Sequence, residues 1–300
     1  MSVTRRAYLA LALICIIWGT TYTAIKYAVV DFPPFMLVGI RQTAAGLLLL
    51  ALAWSSGKIA VPEGRYVRLQ MLTGLATITG GNGFITWGMQ YVPSGLASII
   101  GSLTPVMVVL FSLALQNKER VNLRIISGVL LGFGGLGLIF SDGWKDFLKP
   151  EYSWGIAGCF ASCCTWSLGT VLAKRWNSAD VSPLMNAGLQ ISAGGIGGFI
   201  LSFFLDTHYD IHHTPEGWAA MFYLILIGSA LAFTLYMYTL KHLSAAMSSL
   251  YTYINPTVAI LLGWAVLGES LTPGALVGMA VTIVGVWMVN SGQRKIRREG

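Results

Sequence analysis

A chain of 300 residues that is 55% hydrophobic and only 10% charged cannot clothe a water-facing globule, since soluble domains carry about 25% charged residues. Its formal net charge of +7 is not a nucleic-acid footprint. The basic residues are instead distributed segment by segment, as a membrane topology requires.

Ten apolar runs follow in order, at about 7–28, 34–54, 67–89, 94–115, 122–140, 153–173, 184–205, 217–240, 244–267 and 272–290. Each approaches the roughly 20 residues that cross ~30 Å of hydrocarbon as a helix. Backbone polar groups in hydrocarbon must pair internally, which leaves helices or closed barrels. The runs are continuous rather than alternating, so the expected fold is an all-α membrane protein. The first run lacks a small-residue cleavage site and reads as a retained helix, not a signal peptide. With the N-terminus in the cytoplasm, the inside segments hold fifteen Lys and Arg, from Arg5 to Arg298. The outside loops hold only Lys145 and Lys149. That asymmetry supports ten spans with both termini cytoplasmic.

The chain is also written twice. "IIWGTTYTAIKYAV" is answered by "CTWSLGTVLAKRWN", which sets Trp18 over Trp166 and Lys26 over Lys174. Pro34 answers Pro183, Pro105 answers Pro256, and Gly128 and Gly135 answer Gly278 and Gly285. The expected organisation is a first repeat at 1–141, an extracytoplasmic linker at 142–152, a second repeat at 153–290 and a basic cytoplasmic tail at 291–300. Five helices per repeat is an odd number, so the second copy starts on the opposite side and is inverted. Inverted repeats are the mark of secondary transporters, with a substrate site near the midplane between the halves.

The ordered set "WGTTYTAIK", "GMQYVPSGLASIIGSLTPVMVVL" and "YTLKHLSAAMSSLYTYINPTVAILLGWAVLGESLTPGALVGMAVTIVGVWMV", together with the duplication, resembles the drug/metabolite transporter superfamily, in its two-EamA-domain form. That resemblance implies ten helices, with helices 1, 3, 4, 6, 8 and 9 around a central cavity. It also implies transport of amino acids, other metabolites or drugs, with amino-acid exporters of the YddG type as a close subgroup.

Polar stripes mark where a cavity would lie. Helix 3 offers Thr79, Asn82, Thr86 and Gln90 at one-face spacing, and helix 4 offers Ser94, Ser98, Gly101 and Ser102. Helix 9 carries Tyr251, Thr252 and Asn255, helix 1 carries Trp18, Tyr22 and Lys26, and helix 6 carries Trp166. Small residues at such spacing serve either close helix packing or a cavity wall. The amides of Asn82, Gln90 and Asn255 need several partners and favour the wall. Trp18 and Trp166 lie mid-span, away from the interfaces where Trp54, Trp144, Trp154 and Trp218 sit. Pro105 and Pro256 are packing kinks or hinges. Lys26 is either a snorkelling cation or a partner for a substrate carboxylate. Arg41 lies on helix 2, which the resemblance puts outside the cavity.

No Asp or Glu falls inside the ten runs, and Glu119 and Glu269 read as turn residues. Without an ionisable acid at depth, the expectation is gradient-driven transport rather than carboxylate-mediated proton exchange. The four cysteines lack metal spacing and read as packing residues. No Ser/His, paired-Asp or metal set points to an enzyme, and no cofactor is implied. The expected partners are the lipid bilayer and a small neutral or zwitterionic solute, amino acids foremost, with nucleobases, sugars and drugs as alternatives. The expected setting is the inner membrane, with the chain acting as a monomer.

Overall fold

The computed structural model describes residues 3–55, 62–92, 94–116, 121–139, 149–178, 180–206, 214–258 and 273–299. These form ten helical runs, numbered here in chain order. They are α1 (Val3–Asp31) and α2 (Pro34–Ser55), then α3 as Gly64–Gly74, a π segment Leu75–Gly83, and Phe84–Gly88. The first five end with α4 as Ser94–Gly101 and Thr104–Ala114, and α5 (Leu123–Ile139). The second five are α6 (Ser153–Arg175), α7 (Pro183–Leu205) and α8 as Pro215–Tyr223, a π segment Leu224–Leu231 and Ala232–His242. The described part of α9 is Ala245–Ser248 and 251–258, and α10 is Pro273–Glu299.

Among the described residues, six helices are long and apolar enough to cross a membrane by length and composition, α1, α2 and α7 being three of them. α3 is not one of them, and the reason is its surroundings. Its Gln70, Thr73, Thr77, Thr79 and Thr86 are buried against neighbouring helices, so its polar content meets protein and not lipid. Large apolar residues such as Leu47, Phe203, Phe204 and Trp287 point outward, as a lipid-facing surface requires. Trp54 and Trp154 stand exposed at helix ends, and Trp218 lies near the start of α8. Trp144, Glu119 and Glu269 lie outside the described residues.

Equivalent helices of the two units reveal their relative direction. Along α2 and α7, Gly39 faces Phe199, Thr43 faces Gly195, Gly46 faces Ser192 and Leu50 faces Gly188. Along α5 and α10, Ile125 faces Gly292, Gly128 faces Val289, Gly135 faces Thr282 and Ile139 faces Gly278. Residue numbers rise on one partner as they fall on the other. The second helix of one repeat thus runs antiparallel to the second helix of the other, and so do the fifth helices. Two copies of one five-helix unit can meet this way only if one is inverted. Glycines allow these crossings because the backbones come close enough to exclude a side chain.

The π segments obey the same two-fold relation, sitting at corresponding places in α3 and α8. Each gives a carbonyl to the first helix of the other repeat: Trp18 Nε1 donates to Gly228 O at 3.0 Å, and Ser162 Oγ donates to Gly81 O at 2.6 Å. π turns interrupt the regular ladder and commonly mark functional sites.

α4 is not a kinked continuous helix. The chain breaks at Ser102 and Leu103, and Pro105 sits in the first turn of the second piece, where its missing N–H does no harm. Pro256 is buried inside the helical stretch 251–258. α1 also extends beyond its expected end to Asp31. That carboxylate is buried and accepts bonds from Thr214 N at 3.1 Å and Thr214 Oγ1 at 2.5 Å, at the start of α8. Asp206, just past α7, accepts from Phe35 N at 3.3 Å and Met36 N at 2.9 Å at the start of α2. Asp206→Ala strips those two N–H groups of their acceptor. It is expected to lower stability by about 1–2 kcal/mol in a thermal unfolding measurement; an unchanged melting temperature would remove Asp206 as a cap.

Candidate functional site

A cavity of about 100 Å³ lies between the two repeats. Its walls come from α1 (Trp18, Thr21, Ile25), α2 (Arg41, Gln42), α3 (Gly81, Asn82, Ile85, Met89) and α4 (Gly101, Thr104). The second repeat supplies Ser162, Cys163 and Trp166 from α6, Gly228, Ser229 and Phe233 from α8, and Tyr251, Thr252 and Asn255 from α9. Both π segments contribute.

The floor is aromatic. Trp18 and Trp166, equivalent across the duplication, meet edge-to-face at 5.5 Å between ring centroids and 82° between planes. Trp18 also meets Tyr251 at 4.4 Å and Tyr236 at 5.3 Å. Such edge contacts suit the ring quadrupoles and fix each ring's orientation. Below the floor the bundle is filled. Tyr236 is fully buried with its hydroxyl 2.5 Å from Thr170 Oγ1, and Tyr253 OH donates to Val129 O at 2.8 Å. Lys174 Nζ donates to Leu240 O and Leu243 O, each at 2.6 Å. Gln190 Nε2 donates to Gln70 Oε1 at 2.7 Å. The cavity therefore occupies the half of the bundle toward Pro34, Gly88 and Ser153, while the half toward Ser55, Gly64 and Arg175 is closed.

Of the residues expected at a cavity, Trp18, Asn82, Trp166, Tyr251 and Asn255 come together here. The amide of Asn255, oriented so that its nitrogen donates to Tyr251 O at 2.8 Å and Cys15 O at 2.9 Å, ties α9 to α1. Thr86 and Gln90 do not line the wall. Thr86 is buried and its hydroxyl bonds back to Asn82 O at 2.7 Å. Gln90 is exposed beyond the end of α3 and donates to Trp87 O at 3.2 Å. The one-face stripe assumed a regular helix, and the π segment adds residues per turn and rotates the face between Thr79 and Thr86. Thr79 accordingly turns to α7, where it donates to Gly194 O at 2.8 Å. The side chains of Tyr22, Lys26 and Ser98 lie outside the described residues. Cys15, Cys159 and Cys163 are buried, Cys164 is half-buried, and all four are free thiols.

The sequence reading missed Arg41. It is only 4% exposed and lines the cavity. Its Nη2 donates to Asn82 Oδ1 at 2.6 Å, and its Nε–H has no partner among the described residues. The neighbouring Gln42 also lines the cavity, with its Oε1 unpaired among the described residues. Among the described residues, no group of three or more His, Cys, Asp or Glu could hold a metal ion, and none of those lining the cavity is acidic.

Comparison with known proteins agrees with this architecture. The EamA-like transporter family matches residues 5–141 and again 153–291. The uncharacterized inner membrane transporter YedA of Escherichia coli K12 is 32% identical over 285 residues, covering 95% of this chain and 90% of its own length. The uncharacterized transporter YvbV of Bacillus subtilis is 27% identical over 292 residues, covering 95% and 92%. A solved crystal structure superposes with a TM-score of 0.77 at 20% identity, covering 97% of this chain and 98% of that one, a likeness of fold alone. With both halves matched and the inverted pair of five-helix units in place, the chain belongs to the EamA-like transporter family and is a multi-pass membrane transporter.

Proposed function

We propose that this transporter moves small neutral or zwitterionic metabolites, amino acids foremost, out of the cytoplasm by alternating access. The observation that carries the proposal is the position of the cavity: it lies where the inverted repeats meet, closed on one side by the Trp18 and Trp166 floor. Because the repeats share one fold in opposite directions, exchanging their conformations would move the closed side of the cavity to its other end. That is the physical content of alternating access in such folds. Aromatic rings, amides and hydroxyls suit an uncharged or zwitterionic solute. A strongly cationic one would find no acidic group among the described residues of the wall and would meet Arg41. The Lys and Arg asymmetry supports an inner-membrane setting with both termini cytoplasmic.

Counterflow with the purified chain in liposomes tests this, using labelled amino acids, nucleobases and cationic dyes. Saturable exchange of at least one amino acid is expected, and it should persist without a pH gradient or membrane potential. Exchange confined to the dyes would overturn the substrate class. Strict dependence on a proton gradient would overturn the passive mechanism.

A further inference from the structure

We propose that Arg41 is the anchor for a carboxylate on the transported molecule, so that the solute is carboxylate-bearing and not merely neutral. The inference rests on the transporter reading of this cavity and narrows it.

A guanidinium stays charged at any accessible pH. Burying it away from water is costly unless it is paired. Arg41 is buried in a cavity wall, yet its side-chain hydrogen bond among the described residues is to the neutral amide oxygen of Asn82. That bond uses part of the guanidinium and fixes its plane. Nε–H is left without a partner. The duplication underlines the point. The residue at the corresponding place in the second repeat is Gln190, seven past Pro183 as Arg41 is seven past Pro34. Gln190 is buried in the closed half and bonded to Gln70. The charge is thus present only in the repeat whose second helix reaches the cavity.

The ligand that meets a planar, donor-only cation is a carboxylate, held by parallel N–H···O bonds. Two further features fit a zwitterion. Gln42 Oε1, buried and unpaired, is an acceptor for an ammonium or amine N–H. The rings of Trp18, Trp166 and Phe233 offer the apolar remainder a surface. With a carboxylate on Arg41, the charge in the wall is neutralised during the crossing. Without one, that charge stays buried against an amide alone.

The test is a binding titration followed by intrinsic tryptophan fluorescence, which Trp18 and Trp166 make sensitive to the cavity. The full chain in detergent is titrated with L-alanine, L-leucine and L-phenylalanine, each beside its amide, which keeps the amine and removes the carboxylate. At least one acid is expected to bind about ten- to a hundredfold more tightly than its amide, the range a charge-assisted bond supplies. Arg41→Gln should erase that difference, and Arg41→Lys should keep part of it. Gln90→Ala, remote from the cavity, should leave it unchanged. Equal binding of acid and amide, retention of the preference in Arg41→Gln, or no binding of any acid overturns the anchor. If Arg41→Gln does not fold, the acid and amide pairs on the native chain and on Arg41→Lys decide. A parallel counterflow measurement separates the two readings. Acids that bind but never exchange would overturn transport and leave the anchor, whereas exchange confined to nucleobases or sugars would overturn the anchor and leave transport.

Discussion

Trp18→Ala is expected to reduce counterflow at least tenfold and to cost about 3–5 kcal/mol of stability, the range for truncating a large buried aromatic. The two losses have one origin. Trp18 is 9% exposed and is the ring that touches Trp166, Tyr236 and Tyr251 together. Removing it leaves a void in the floor and frees three rings to reorient, so the cavity loses its closed end. Alanine alone cannot distinguish lost binding surface from lost fold. Trp18→Phe can, because it keeps one aromatic ring at the same place while removing the second ring of the indole and the donor to Gly228 O. Its stability cost, one hydrogen bond of about 1 kcal/mol plus a smaller void than alanine leaves, should be below that of Trp18→Ala, and its flux should stay within about fivefold of the native chain. Trp166→Ala should follow Trp18→Ala, since the two residues are equivalent in the repeat. Asn255→Ala should be milder, losing the tie to Cys15 O and Tyr251 O. Native rates for Trp18→Ala in a folded, inserted protein would show that the floor is not on the transport path.

The fold was legible because its signals are one-dimensional. Apolar runs of membrane length, their number, and matching residues at a near-constant offset need no knowledge of packing. The pairing of Trp18 with Trp166 followed from the same offset. Three features were hidden because they depend on three-dimensional neighbours. The π segments in α3 and α8 shift hydrogen bonding without a composition of their own, and that shift separated Thr86 and Gln90 from Asn82. The charge of Arg41 was plain, but an arginine in an apolar helix reads as a snorkelling cation until its neighbours are known. Here α3 crosses α2 at Asn82 and holds it inward. Asp31 and Asp206 lie outside the ten apolar runs, and their burial follows from helix starts that arrive from distant parts of the chain.

The adjacent glycines Gly134 and Gly135 are expected to give opposite results when each is changed to leucine. A Cβ built on Gly135 would lie 2.5 Å from Thr282 Oγ1, 2.6 Å from Thr282 N and 2.7 Å from Gly278 O. Two of those atoms belong to the α10 backbone, which no rotamer change can move aside. Leucine there must push α5 and α10 apart along a seam that Gly128, Gly132, Gly278 and Gly285 hold close. Overpacking a rigid contact costs about 1–3 kcal/mol and occasionally more, and a backbone-on-backbone clash belongs at the upper end. The expected result is a loss of at least about 3 kcal/mol in thermal unfolding, or no monodisperse protein at all. At Gly134 an added Cβ meets nothing within 4 Å, and the residue is exposed on the outer face of α5. Leucine there replaces a weak helix former by a strong one, worth up to about 1 kcal/mol, so stability should hold or rise slightly. The two variants differ by one position and share every compositional change. A similar effect at both sites would mean that α5 and α10 are not packed along this seam, and that the antiparallel pairing of the two repeats is wrong at its tightest point.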